Sequence, residues 1–178
     1  MKLAALIPLY IAPAIGLILQ RDAKTVASSL SVISDQLRTM NSTLDKIQGP
    51  DDAQAAVDFQ NQATQLQTDL QTATDAANSS SAFDDNDSST IAYAVITVTD
   101  VTFAVLDKLA GKRDVFDKLG GSAITDLVRD ELRGLQNTTD GFSTVLSDKF
   151  VKTVKDVAPL LVSSLDFHFY ETLQVYEK

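Results

Sequence analysis

The chain contains no cysteine. Disulfides, thiolate metal sites and thiol nucleophiles are therefore excluded, and stability is left to packing alone. Histidine occurs once, as His168, and no Gly-x-Ser-x-Gly elbow is present to position a serine nucleophile beside it. Basic residues are in the minority, 15 Lys and Arg against 24 Asp and Glu, and they form no run. A net charge of −9 without a basic cluster argues against nucleic acid and against attraction to anionic lipid headgroups, because both need clustered cations to neutralise phosphates. What remains is 178 residues, 44% hydrophobic and 22% charged, enough for one domain with a sizeable core.

At the N-terminus Lys2 precedes an uncharged stretch, Leu3 to Leu19, interrupted by Pro8, Pro13 and Gly16. This reads as a secretory signal peptide over residues 1–16, with an alternative end near Arg21. An uncleaved anchor fits less well, since two prolines and a glycine sit in a stretch shorter than a usual span. The remainder, 22–178, is expected to form a single domain. Secretion gives meaning to four acceptor sequons, at Asn41, Asn78, Asn86 and Asn137, all expected on polar faces or in a loop.

Apolar residues recur with alternating spacings of four and three. Val26, Leu30, Ile33, Leu37, Met40, Leu44 and Ile47 form one stripe of a long helix, with Ser34, Arg38, Asn41 and Asp45 opposite, and Gly49-Pro50 stops it. A second helix is predicted from an Asp51 cap, with the stripe Ala56, Phe59, Ala63, Leu66, Leu70, Ala73 and Ala77. Its alanines either allow close helix approach, the preferred reading, or leave volume unfilled. The linker Asn78 to Thr90 alternates Asp and Ser but lacks the glycine and bidentate glutamate of an EF-hand, so no metal is expected and Ser88 to Thr90 read as a helix cap.

The segment Ile91 to Leu109 is the most apolar, with Asp100 the only charge before Asp107. It is rich in Val, Ile and Thr, yet Ile91, Val95, Val98, Thr102, Leu106 and Leu109 hold a helical stripe, and an isolated strand would leave its backbone groups unpaired. A central helix wrapped by amphipathic neighbours is predicted, too short to cross a bilayer comfortably. Gly111 either ends it or is absorbed, and Gly120-Gly121 is a firmer break. A fourth helix follows, capped by Ser122 and striped by Ile124, Val128, Leu132, Leu135, Thr139, Phe142 and Leu146. The fifth begins near Asp148 and is kinked or restarted at Pro159. The fold class is thus all-α, a bundle of about five amphipathic helices after a cleaved leader.

A leader, then RDAKTVASSLSVISDQL opening a long amphipathic helix, then a cysteine-free run of similar helices, resembles the fungal hydrophobic surface-binding protein A family, to which the lipid-binding domains of cell-wall galactomannoproteins are related. The likeness runs from about Arg21 to Tyr176. It implies a secreted, extracellular or cell-wall-associated protein that adsorbs to hydrophobic surfaces or holds a fatty acid or similar apolar ligand between its helices. The chain departs from the family in its Val- and Thr-rich third helix and in ending at Lys178 without a Ser/Thr-rich stalk, so a freely secreted domain is expected.

For lipid binding, the candidate wall is the apolar face of the third helix with aromatics from its neighbours: Tyr93, Phe103, Phe142, Phe150 and Phe169. Thr99, Thr102 and Thr139 are candidate donors to a ligand head group, since hydroxyls inside apolar stripes would otherwise go unused. A structural or self-associating wall protein without ligand is the alternative, monomer and homodimer are both compatible with the sequence, and an esterase built on His168 is remote. No cofactor, metal or nucleic acid is expected.

Overall fold

The computed structural model describes residues 14–177, with side chains from Asp22 onward. The expected leader falls largely on residues 1–13, outside the described residues. Seven helices follow in order: α1 (Ala14–Lys46), α2 (Ala53–Ser79), α3 (Asp85–Gly111), α4 (Arg113–Gly120), α5 (Ser122–Lys149), α6 (Lys152–Lys155) and α7 (Ala158–Tyr176). Five are long, and no strand occurs among the described residues. The predicted all-α bundle is therefore present, with α4 and α6 as short connectors.

Chain direction is set by contacts between helices. Gln36 Nε2 donates to the Gln62 carbonyl at 2.9 Å across the α1–α2 hairpin. Lys108 Nζ reaches Asp45 Oδ1 at 2.7 Å, and one turn on Lys112 Nζ reaches the Ile47 carbonyl at 2.7 Å, so α3 runs parallel to α1. Phe103 meets His168, Thr172 Oγ1 donates to Leu106 O and Tyr176 Oη donates to Leu109 O, which makes α7 parallel to α3. α1, α3 and α7 point one way. α2 and α5 point the other, bridged by Gln67 to Glu131 and by Lys149 to the Ser80 carbonyl.

The centre of the bundle is α1. Val26, Leu30, Ile33, Met40, Leu44 and Ile47 are at most 1% exposed. This corrects the expectation that Ile91–Leu109 is the enclosed helix. On α3 one face packs inward through Ile91, Thr99, Val105, Leu106 and Leu109, while Tyr93 is 73% exposed and Ile96 41%. The helix is also longer than expected. At 27 residues it is long and apolar enough to cross a membrane by composition, although its buried face is committed to this core. Its β-branched residues are accommodated because hydroxyls fold back onto carbonyls one turn earlier, as from Thr97 to Tyr93 O and Thr102 to Val98 O.

The wrapping of α1 by α2 and α3 widens its buried face beyond the predicted stripe. Ser34, predicted to lie opposite it, is buried with no partner for its Oγ, and Thr43 is buried as well. Asn41 is half-buried with its Oδ1 sealed and unpartnered, whereas Asn78, Asn86 and Asn137 are exposed.

The ends of the helices differ from the sequence reading in instructive ways. Asp52 rather than Asp51 precedes α2, and its carboxylate turns back to accept from Gln48 N and Gly49 N, tying the hairpin instead of capping the helix. α3 starts earlier, at an Asp84 cap that accepts from Asp87 N at 2.8 Å. Ser88 lies fully buried inside the first turns and its Oγ accepts from Val151 N, which pins the chain after α5. Gly111 ends α3, and Gly121, at φ 62°, makes the turn into α5, so Ser122 is already helical. Pro159 sits in the first turn of α7, where its missing N–H is harmless, and the predicted fifth helix is accordingly restarted.

Two substitutions probe this arrangement. Ile33→Ala is expected to lower unfolding free energy by about 2–5 kcal/mol, the usual range for a fully enclosed aliphatic side chain. Tyr176→Phe is expected to cost about 1 kcal/mol, because the Leu109 carbonyl loses one donor but keeps Lys112 N. Urea unfolding of each variant measures both.

Candidate functional site

A cavity of about 220 Å³ runs between α1, α2, α3, α4, α5 and α7. On α5 its lining extends from Ile124 to Ser143, roughly 28 Å of helix at the standard rise. So little volume over such a length describes a narrow bore. Leu30, Ile33, Leu37 and Met40 of α1 form its floor, and Phe59 and Phe116, with ring centroids 6.3 Å apart, narrow it near α4. Exposed Ala53 and Val57 mark the end that reaches solvent, and Phe142, Leu165 and Phe169 line the opposite end.

The bore exists because small residues face large ones. In the first half of α2 the stripe presents Ala56 and Ala63 where the first helix would need bulk, and both line the cavity. Farther along, Ala73 and Ala77 are fully buried in close contact. Close approach was the preferred reading of these alanines; it holds for the second pair, and the first leaves volume open.

Of the residues singled out from sequence, Thr99, Thr102, Thr139, Phe142 and Phe169 come together on the cavity wall. The other three do not line it. Tyr93 points to solvent, Phe103 stacks face to face on His168 at 3.8 Å and 10° between planes, and Phe150 packs against Phe83 at 5.9 Å. Thr102 already donates to Val98 O. The hydroxyls of Thr99 and Thr139 make no hydrogen bond to protein among the described residues, and neither does that of Ser143, a lining residue the sequence reading missed. Its signal was present: Ser143 lies four residues after Thr139, on the same face of α5. Gln60 and Glu131, nearer the mouth, were also missed, and Glu131 Oε2 accepts from Gln67 Nε2 at 3.0 Å.

His168 is committed to structure. Its ring is covered by Phe103 and its Nδ1 donates to the Ser164 carbonyl at 3.0 Å, which leaves no carboxylate orienting it as a general base. No group of three or more metal-ligating side chains occurs among the described residues. Among the described residues, a strongly perturbed carboxyl near the cavity belongs to Asp140, next to Thr139. Burial, hydrogen bonding to Asp166 of α7 and repulsion from Asp166, in that order, push it up to about 6.

A cysteine-free helical bundle enclosing an apolar bore can be compared with known proteins. The family model for hydrophobic surface binding protein A matches residues 23–148. The chain belongs to that family. A search among curated proteins finds no significant match. Among solved structures, AFMP4P in complex with palmitic acid superposes with a TM-score of 0.81 at 27% identity, covering 86% of this chain and 99% of that one. Ligand binding domain 1 of the Penicillium marneffei MP1 protein, complexed with arachidonic acids, gives 0.79 at 13% identity over 88% and 99%. Domain 2 of the same protein, with multiple arachidonic acids, gives 0.76 at 12% over 88% and 95%. The likeness to the two domains is one of fold. The family match stops at Lys149's neighbour, before α7, yet α7 contributes Leu165 and Phe169 to the bore of this family member.

Asp140 yields a prediction with a definite sign. Its folded pKa is raised, so the native state binds more protons than the unfolded state between about pH 4 and 6, and ionisation above that window destabilises the fold. Asp140→Asn should therefore raise Tm at pH 7.5 by about 3 °C, corresponding to about 1 kcal/mol after solvent screening of a partly exposed pair. At pH 4 the variant and parent should melt together.

Proposed function

We propose that this member of the family carries a single-chain apolar lipid, such as a fatty acid, in the bore between its helices, without catalysing a reaction. The bore itself is the observation that carries the reading: it is narrow, long and almost wholly aliphatic and aromatic, with a few unsatisfied hydroxyls. Its volume exceeds the roughly 150 Å³ of an engineered apolar cavity that stays dry and accepts benzene. The relative of 27% identity, solved with palmitic acid, supports the same ligand class. We further propose that the chain is secreted, its leader removed near Gly16 or Arg21 and its exposed sequons at Asn78, Asn86 and Asn137 available for glycans. N-terminal sequencing of protein from the culture medium tests the cleavage, and an intact leader overturns it.

A second reading, adsorption to hydrophobic surfaces, is favoured by a separate observation. Leu160 is 73% exposed and, with Phe167 and Tyr170, leaves apolar side chains of α7 in solvent, as Tyr93 and Ile96 do on the parallel α3. After adsorption to hydrophobic beads, retained near-ultraviolet dichroism supports docking through these side chains by an intact bundle. Loss of that signal with retained helix supports spreading of the bundle.

Native mass spectrometry of protein from its natural host tests the carrier reading directly. Co-purifying lipid, or stoichiometric binding of added palmitic acid, is expected, and the absence of both rejects it. Ala63→Leu fills the bore from α2 without touching the outer face. It should reduce lipid affinity at least tenfold, leave bead adsorption as it was, and hold or slightly raise Tm, since filling a void stabilises a core.

A further inference from the structure

Resting on the carrier reading, we propose that the bore selects single-chain lipids with an uncharged head group, a long-chain alcohol or a protonated fatty acid, over the ionised carboxylate. The polar side chains lining it are Gln60, Thr99, Thr102, Glu131, Thr139 and Ser143, and there is no Lys, Arg or His among the described lining residues. A head group at the mouth meets Gln60 and Glu131, a carboxyl side chain whose Oε2 is already engaged by Gln67. A head group at the inner end meets the hydroxyls of Thr99, Thr139 and Ser143, none of which has a protein partner among the described residues. Either way the only charged group lining the bore among the described residues is acidic, and the whole chain carries −9.

The donor and acceptor inventory points the same way. A hydroxyl both donates and accepts, so Thr and Ser side chains pair fully with an alcohol or with a neutral carboxyl. An ionised carboxylate only accepts; the hydroxyls can donate to it, but no described lining cation offsets the charge it would carry into an apolar bore. Such a group sheds the penalty by taking up a proton, which here means that the ligand binds in its acid form. Selection for the neutral head thus follows from what lines the cavity, independent of chain length.

The test compares hexadecan-1-ol with palmitic acid, each delivered from cyclodextrin and measured by isothermal titration from pH 5 to pH 8. The alcohol has no titratable group, so its pH profile reports changes in the protein, Asp140 included, and the acid-to-alcohol ratio isolates the head group. We expect similar affinities at pH 5. By pH 8 the acid should bind at least tenfold more weakly than the alcohol, as its neutral fraction falls about tenfold per unit above its pKa. Palmitate binding at pH 8 as tightly as the alcohol, or more tightly, overturns the inference while leaving the carrier reading standing. Failure of both ligands to bind at any pH overturns the carrier reading and this inference with it.

Discussion

Between Val26 and Ile47 the α1 helix buries a side chain every three or four residues, and on this stripe α2 and α3 settle from two sides. With no disulfide and few polar contacts between helices, burial of that stripe is the constraint every other position depends on. The parallel course of α3 follows from it, since Lys108 and Lys112 reach Asp45 and the Ile47 carbonyl only when α3 lies alongside α1 in this direction. α7 then completes the bundle against α3 through the Phe103–His168 stack and the Tyr176 hydroxyl, which burial holds in its neutral donor form. Residues outside the shared stripe can be polar, as Arg38 and Asp45 are, or apolar, as Tyr93 and Ile96 are, without disturbing the arrangement.

The bore is the place where this packing is incomplete. Small side chains on α2 meet the large α1 stripe across a gap that α5 bridges without filling. The apolar atoms that border the gap lack the packing partners a filled core would give them. On the carrier reading, an acyl chain supplies those contacts and so contributes to folding stability as well.

How much of this was legible in the chain differs from element to element. The α1 stripe, the Gly49-Pro50 stop and the Gly120-Gly121 break could be read because periodicity and backbone chemistry are local. Pro159 as a restart was legible for the same reason. The orientation of α3 was not: between Ile91 and Leu106 its only charge is Asp100, so no charged face marks its solvent side, and only the presence of α1 and α7 decides that Tyr93 and Ile96 point out. Asp51 and Ser88 were misassigned as caps. The neighbouring Asp52 precedes α2 and ties the hairpin through Gln48 N and Gly49 N, and Asp84 caps α3 from farther upstream. Ser88 answers to Val151 N, a backbone group that only tertiary packing brings near. Of the site, the hydroxyls within apolar stripes were visible at Thr99, Thr102 and Thr139. Tyr93, Phe103 and Phe150 were named on aromatic character alone, which says nothing about which wall a ring faces.

Carrying a lipid and adhering to an apolar surface can arise from the same deficit. The chain has more apolar surface than its core can use: α3 and α7 keep Tyr93, Ile96, Leu160, Phe167 and Tyr170 in solvent, and the interior still leaves room for an acyl chain. On the carrier reading, an acyl chain in the bore completes the packing around the α1 stripe, and the outer apolar face then meets a surface as part of a closed bundle. Helices that no covalent link restrains are held by packing alone, so the same α1 and α3 faces that would grip an acyl chain are the ones an apolar surface would contact if the bundle opened. The two readings therefore draw on one set of apolar faces, and the cysteine-free composition is what leaves the choice between them to packing.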